Sequence, residues 1–386
     1  MFRLPVPPAG LLGAVLLSAA IAVEPKPPEK TVEERVADIE AYFNNTAPGP
    51  AVRADEVDRT MTPALQAVAL RTKAGNRLQD PRVTTFDLQI AIANLTRALE
   101  LEPKSALTLL NRACAYLRAF DRGKALADVE RALELNSELA EAFVLRAHLR
   151  LSNGDVGGCL ADAKQAGELQ PKSAEAWMHQ AIAQHRKGAL DEAIADYTKG
   201  LALLPPGAPG YQASGRWEFA RPLQGVRHLI YINAYLGRAA CYYAQQKWDA
   251  VFADLAAVQD WPDYGEFVRP HLWALRPRLN PENDAKAAAL KSKLEHRTDD
   301  PWSNDLNTFV LGGGEEAAFL AMAENGEPMA TQIRRSIAGY FAGMRRLAAG
   351  QKTEAAECFR KSVAADLKGS LSHDFSQAEL KLLEQK

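Results

Sequence analysis

The chain has 386 residues, 47% hydrophobic and 24% charged, with a formal net charge of −2 at pH 7. That balance excludes a disordered or low-complexity chain, and it supplies neither a basic excess for nucleic acid nor an acidic tail. The length is ample for a sizeable core or an extended solenoid.

Met1-Phe2-Arg3 puts one positive side chain ahead of an apolar run from Leu11 to Val23, which contains the small-residue triplet Ala20-Ile21-Ala22. This order predicts a secretory signal over residues 1–22, cut after Ala22, and a periplasmic or secreted bacterial protein. The run is too short to span a bilayer comfortably, so no stable membrane span is expected after cleavage. An uncleaved anchor is the alternative, given the single Arg3 and the prolines at 5, 7 and 8. No cysteine lies near the cleavage point to accept a lipid.

Residues 23–30, with Pro25, Pro27 and Pro28, read as a stiff tether. N-terminal helices and a cap fill 31–85. Thr31 can cap a helix with Val32, Val36, Ile39 and Phe43 on one side, and Thr62-Pro63 opens another through about Leu78. Thr85 precedes a well-patterned helix from Phe86 to Leu101.

From 86 to 207 the sequence repeats every 34 residues. Ala91, Ala125, Cys159 and Ala193 form one row, Ala98, Ala132, Ala166 and Gly200 a second, and Ala113, Ala147 and Ala181 a third. Leu95, Val129, Ala163 and Tyr197 are apolar or aromatic, and Pro103, Ser137, Pro171 and Pro205 close the units. Antiparallel helices approach closely only where side chains are small, and proline cannot continue a helix. The period therefore predicts stacked helix-turn-helix units. Within Ala174 to Gly207, Trp177-x2-Gln180-Ala181-x2-Gln184, Ala193-x3-Tyr197 and Pro205 resemble the tetratricopeptide-repeat motif, with Gln180, Ala181 and Gln184 as departures. The resemblance implies an all-α, right-handed tetratricopeptide-repeat superhelix, an α-solenoid with a proline-rich insertion and capping helices. It also implies a non-catalytic scaffold that binds a protein or peptide.

The insertion occupies 208–228 and is rich in aromatics and arginine, with Arg216, Trp217, Phe219 and Arg221 prominent. Those residue types dominate interface hot spots, and a structural plug on the adjoining repeats is the equal alternative. A degenerate repeat and helices follow over 229–300: Leu229 to Gln245, Trp248 to Asp260, Phe267 to Leu275 and Asp284 to His296. Residues 301–386 form a C-terminal repeat module, with a short helix from Glu315, a last unit from Ser336 and a closing helix within Ser370 to Lys386. Pro301-Trp302-x3-Leu306-x2-Phe309-x-Leu311-Gly312, Tyr340-Phe341-Ala342-Gly343, Gly350-x4-Ala355-x3-Phe359 and Ala378-Glu379-Leu380 look like the C-terminal part of bacterial NlpI-type tetratricopeptide lipoproteins. That family serves as envelope adaptors for peptidoglycan hydrolases and a processing protease, so the likeness implies adaptor behaviour. The missing lipid-acceptor cysteine and the longer array depart from it.

First helices of such units line a concave groove. The repeat phase places Asn111, Cys114, Val144, Leu145, His148, Met178, His179, Ile182 and His185 there as partner-binding candidates, a mostly apolar surface suited to a helix or extended segment. Cover by the chain's own termini is the competing expectation. Lysine, asparagine and arginine that grip a partner's C-terminal carboxylate in other tetratricopeptide domains are largely replaced by Leu, Cys and Glu. His148, His179 and His185 have the wrong spacing for a metal on one helix, and no cofactor is implied. Cys114, Cys159, Cys241 and Cys358 are expected as buried free thiols. Second-helix carboxylates such as Asp128, Glu130 and Glu134 read as a solvated face. No nucleophile, zinc or phosphate-loop motif is present, and His373-Asp374 beside Ser370 and Ser372 is sequence adjacency alone. A hydrolase or glycan-processing protein with an unrecognised site is the runner-up class.

Overall fold

The computed structural model describes residues 62–79, 84–203, 224–260, 265–278 and 284–385. The expected signal, the tether, the helix after Thr31, and Arg216, Trp217, Phe219 and Arg221 of the insertion lie outside the described residues.

Every regular element among the described residues is helical. In chain order they are α1 (Pro63–Gln79), α2 (Thr85–Leu101), α3 (Ala106–Arg118), α4 (Arg122–Leu135), α5 (Ala140–Ser152) and α6 (Val156–Leu169). Next come α7 (Ala174–Lys187), α8 (Leu190–Leu203), α9 (Gln224–Ala244), α10 (Trp248–Val258) and α11 (Gly265–Leu275), which runs into a 3-10 turn at Arg276–Arg278. The chain closes with α12 (Asp284–Glu295), α13 (Pro301–Val310), α14 (Glu316–Met322), α15 (Pro328–Ala348), α16 (Lys352–Ala364) and α17 (Leu371–Glu384). Two compact units result. One holds the described residues up to Ala183 and the start of α9, and the other holds Gln184 to 203 and the chain from Tyr231 on.

Local signals set the first unit's helix ends. Thr84 and Asp87 form a reciprocal cap on α2: the Thr84 hydroxyl accepts from the Asp87 amide at 3.2 Å, and the Asp87 carboxylate accepts from the Thr84 amide at 3.1 Å. Asp121 and Asp155, 34 apart, cap α4 and α6 by accepting the amides of Lys124 at 3.1 Å and Gly158 at 2.8 Å. Helices α2, α4, α6 and α8 end at Leu101, Leu135, Leu169 and Leu203, two residues before the closing row Pro103, Ser137, Pro171 and Pro205. Ala91, Ala125 and Cys159 are wholly buried, as are Ala98, Ala132, Ala166, Leu95, Val129 and Ala163. These are the tandem antiparallel hairpins of a tetratricopeptide-type array, with small residues at the crossings.

In the second unit the same logic uses glycine. Helix α9 passes the buried Tyr197 ring at Gly237, where a Cβ would come within 2.3 Å of the phenol oxygen. Helices α15 and α16 cross at Gly339, whose Cβ would meet the Ser362 nitrogen at 2.7 Å and the Cys358 carbonyl at 2.8 Å. Three boundaries differ from the sequence reading. Helix α9 begins at Gln224 and not Leu229. The stretch 301–310 is a full helix, because Pro301 sits at its first turn and the Asp300 carboxylate caps it through the Ser303 amide at 3.0 Å. Helix α15 starts at Pro328, eight residues before Ser336, again on a first-turn proline.

Candidate partner-binding groove

Three of the groove-lining helices, α3, α5 and α9, are tied to their hairpin partners by an arginine–carboxylate fork that the sequence reading missed. Arg112 of α3 donates Nε and Nη2 to Asp128 of α4 at 2.7 and 2.8 Å. Arg146 of α5 makes the same fork to Asp162 of α6 at 2.9 and 2.7 Å, with Arg150 adding a third bond at 2.8 Å. Arg238 of α9 repeats it to Asp254 of α10 at 2.9 and 2.7 Å. Asp128 is therefore buried and paired, not part of a solvated face; Glu130 and Glu134 are exposed as expected. Arg112 also reaches Thr96 of α2 at 3.2 Å, and Arg238 reaches Thr198 of α8 at 2.9 Å, so these two forks each span three helices. Gln180 interrupts the row, donating to the Ala163 carbonyl at 3.3 Å. The signal was present: Arg112 and Arg146 stand 34 apart, and each aspartate follows its arginine by 16 residues.

The predicted groove residues of the first unit are interior. Asn111, Cys114, Val144, Leu145, His148, Met178 and His179 are all buried, Leu145 completely, while Ile182 is half-buried. The His148 and His179 rings meet edge to face, centroids 5.8 Å apart. The His179 Nδ1 donates to the Glu175 carbonyl at 2.8 Å, and the His148 Nε2 is buried without a hydrogen-bond partner. Burial lowers both imidazoles, His148 to about 3, so both are neutral. No group of three or more His, Cys, Asp or Glu able to hold a metal occurs among the described residues. All four cysteines are buried free thiols, and burial pushes Cys114 and Cys241 up to about 12.

In the second unit the chain's own last helix covers the groove face. Tyr243 of α9 stands at the repeat phase of Leu117 and Leu151, since Arg238–Asp254 repeats Arg112–Asp128. Its ring stacks on Phe375 of α17 with centroids 3.8 Å apart, and its hydroxyl donates to the Glu379 carboxylate at 2.5 Å. Arg278 pairs with the same carboxylate at 2.6 Å and lies over the Trp248 ring at 4.5 Å. His185 is half-buried beside this helix; burial lowers its imidazole, and Asp374 of α17 pulls the other way.

One arrangement here has the look of catalytic chemistry. The His271 Nδ1 donates to the Phe267 carbonyl at 2.7 Å, which leaves Nε2 to accept the Ser372 hydroxyl at 3.0 Å. Ser372 is 2% and His271 3% exposed, so no substrate carbonyl reaches the hydroxyl in this packing. His373 bonds Asp374 through Nδ1 at 2.9 Å, a contact between sequence neighbours, and the Ser370 hydroxyl caps α17.

No known family profile matches the chain, and no curated protein matches it. Among solved structures, PilF of Pseudomonas aeruginosa is 14% identical, with 61% of this chain and 93% of that one covered and a TM-score of 0.47. A tetratricopeptide repeat protein of Parabacteroides merdae is 17% identical over 83% of this chain and 99% of its own, with a TM-score of 0.43. YrrB, described as a TPR protein with an unusual peptide-binding site, is 18% identical over 51% and 95%, with a TM-score of 0.35. Similarity at that level carries no functional information.

Proposed function

We propose that this chain is a protein-binding scaffold exported to the bacterial cell envelope, where it gathers other envelope proteins. The observation that carries the reading is the repeated hairpin: interior rows and arginine–aspartate forks recur from unit to unit, whereas among the described residues no reactive group recurs with them. Such arrays present long surfaces and hold partners without transforming them. The N-terminal order of Arg3, apolar run and Ala20-Ile21-Ala22 supports export, and the C-terminal likeness to envelope adaptors points to the same compartment.

Leu145→Asp and Met178→Asp place charges in a packed interior and therefore report folding rather than partner capture. Ile182 is the better probe, being half-buried at a position the repeat phase assigns to the groove. A photocrosslinking residue at 182 is expected to yield a defined adduct in envelope extract, with none from exposed Glu134. Adducts from neither position, or peptidoglycan or peptide hydrolysis by the purified chain alone, overturn the scaffold reading. N-terminal sequencing of the native protein is expected to begin at Val23; a start at Met1 overturns the cleaved signal.

A further inference from the structure

Helix α17 meets the body of the second unit through a polar face. Four of its seven buried side chains, Ser372, His373, Ser376 and Glu379, are polar, and Phe375 is the one large ring among them. The interior rows of the repeats are apolar by contrast. Buried polar groups return little net free energy, because each gives up water for its new partner. The Ser376 hydroxyl has no partner among the described residues, and Glu379 gives up the hydration of a carboxylate. Contacts of that composition characterise faces that part and rejoin, whereas permanent ones are apolar at their centre.

The link to α16 turns through two left-handed residues, Asp366 at φ 53° and Gly369 at φ 88°, both exposed, and can absorb a swing without disturbing packed side chains. Helix α17 also brings its own cap. The Ser370 hydroxyl accepts from the His373 amide at 3.4 Å, and the Asp374 carboxylate accepts from the Gly369 amide at 3.3 Å. What α17 covers is already shaped for a helix. Arg278 rests on the Trp248 ring whether or not a carboxylate is present, the Tyr243 ring offers a stacking face, and the His271 Nε2 accepts a hydroxyl.

We infer that α17 is a resident stand-in for a partner's helix and competes with it for the face of Tyr243 and Arg278. The partner helix carries an aromatic residue and a carboxylate four positions later, as Phe375 and Glu379 do, so that both project from one side. The guanidinium selects the carboxylate and the Tyr243 ring selects the aromatic. This names the partner class for the scaffold reading and rests on it. The photocrosslink at 182 tests that reading in the first unit, so the two fail separately.

The test is fluorescence anisotropy of a labelled peptide of residues 370–386 with the full mature chain. The unaltered chain is expected to bind it, at an affinity reduced by the fraction of chains in which α17 is docked. Glu379→Gln in the chain loosens the resident helix and is expected to tighten peptide binding by about tenfold, the worth of one charged hydrogen bond. The same change in the peptide is expected to weaken binding by a similar factor. No anisotropy change with either chain, or binding indifferent to the peptide's carboxylate, overturns the inference. Hydrogen exchange on the unaltered chain gives a second reading: α17 amides are expected to exchange ahead of residues 337–343 of α15. Exchange in step with them shows no separate opening and also overturns it.

Discussion

Phe120 stands where Gly154 and Gly188 stand in the next two units, and all three have positive φ, at 62°, 83° and 81°. The left-handed region suits glycine; for a bulky residue it costs about 1–2 kcal/mol. Phe120 is also 72% exposed, so burial returns little of that cost. Phe120→Gly is expected to raise stability by about 1 kcal/mol in urea unfolding, after glycine's own entropic cost is subtracted. A lower midpoint would show that the ring makes a contact that offsets the strain. Glu379 poses the opposite case, a carboxylate 2% exposed and held by Arg278 and Tyr243. Arg278→Met removes the charge partner and is expected to cost about 3–5 kcal/mol, while the double change Arg278→Met with Glu379→Leu recovers most of it. If the double variant is no more stable than the single one, the burial of an uncompensated charge is not the cause.

At the scale of helices, the crossing of α15 and α16 rests on the missing Cβ at 339. The obstructing atoms are backbone, which cannot rotate aside as a side-chain tip can. Gly339→Ala is therefore expected to destabilise by roughly 1–3 kcal/mol despite alanine's better helix propensity. Gly75→Ala supplies the control, because nothing among the described residues lies within 4 Å of a Cβ there. That variant is expected to be neutral or stabilising, and calorimetry on the pair separates packing from propensity. Proline at the first turn also explains why α13 and α15 begin earlier than hydrophobic periodicity alone suggests: a local backbone signal overrides a weak apolar pattern.

Across the whole molecule, histidine burial ties stability to acidity. His148, His179, His185 and His271 are all lowered by burial, His148 to about 3 and His271 to about 4. Unfolded, each takes a proton near pH 6.5; folded, each is harder to protonate, and His148 and His271 stay neutral well below that pH. The unfolded state thus binds more protons between pH 6.5 and those lower values, so stability is full above pH 6.5 and falls as the pH drops. Over that window each fully shifted histidine contributes a slope of about 1.4 kcal/mol per pH unit. The urea midpoint is expected to decline steadily from pH 7 to pH 5, and His271→Phe is expected to shallow that decline. An unchanged midpoint over this range would contradict the neutral, buried assignment.

The sequence by itself determined the hairpin array, its period, the small-residue crossings and the ends of the 34-residue units, because these depend on residue size, capping and proline at fixed spacing. It also held the Arg112–Asp128 and Arg146–Asp162 forks, legible as two rows 16 residues apart, although single carboxylates on a helix look the same whether solvated or paired. What only the tertiary structure decided is which faces remain open. Whether Tyr243 meets a partner or its own chain depends on a helix more than a hundred residues away in sequence, α17 with Phe375 and Glu379. Helical periodicity records that a face is apolar; the folded chain alone records what lies against it.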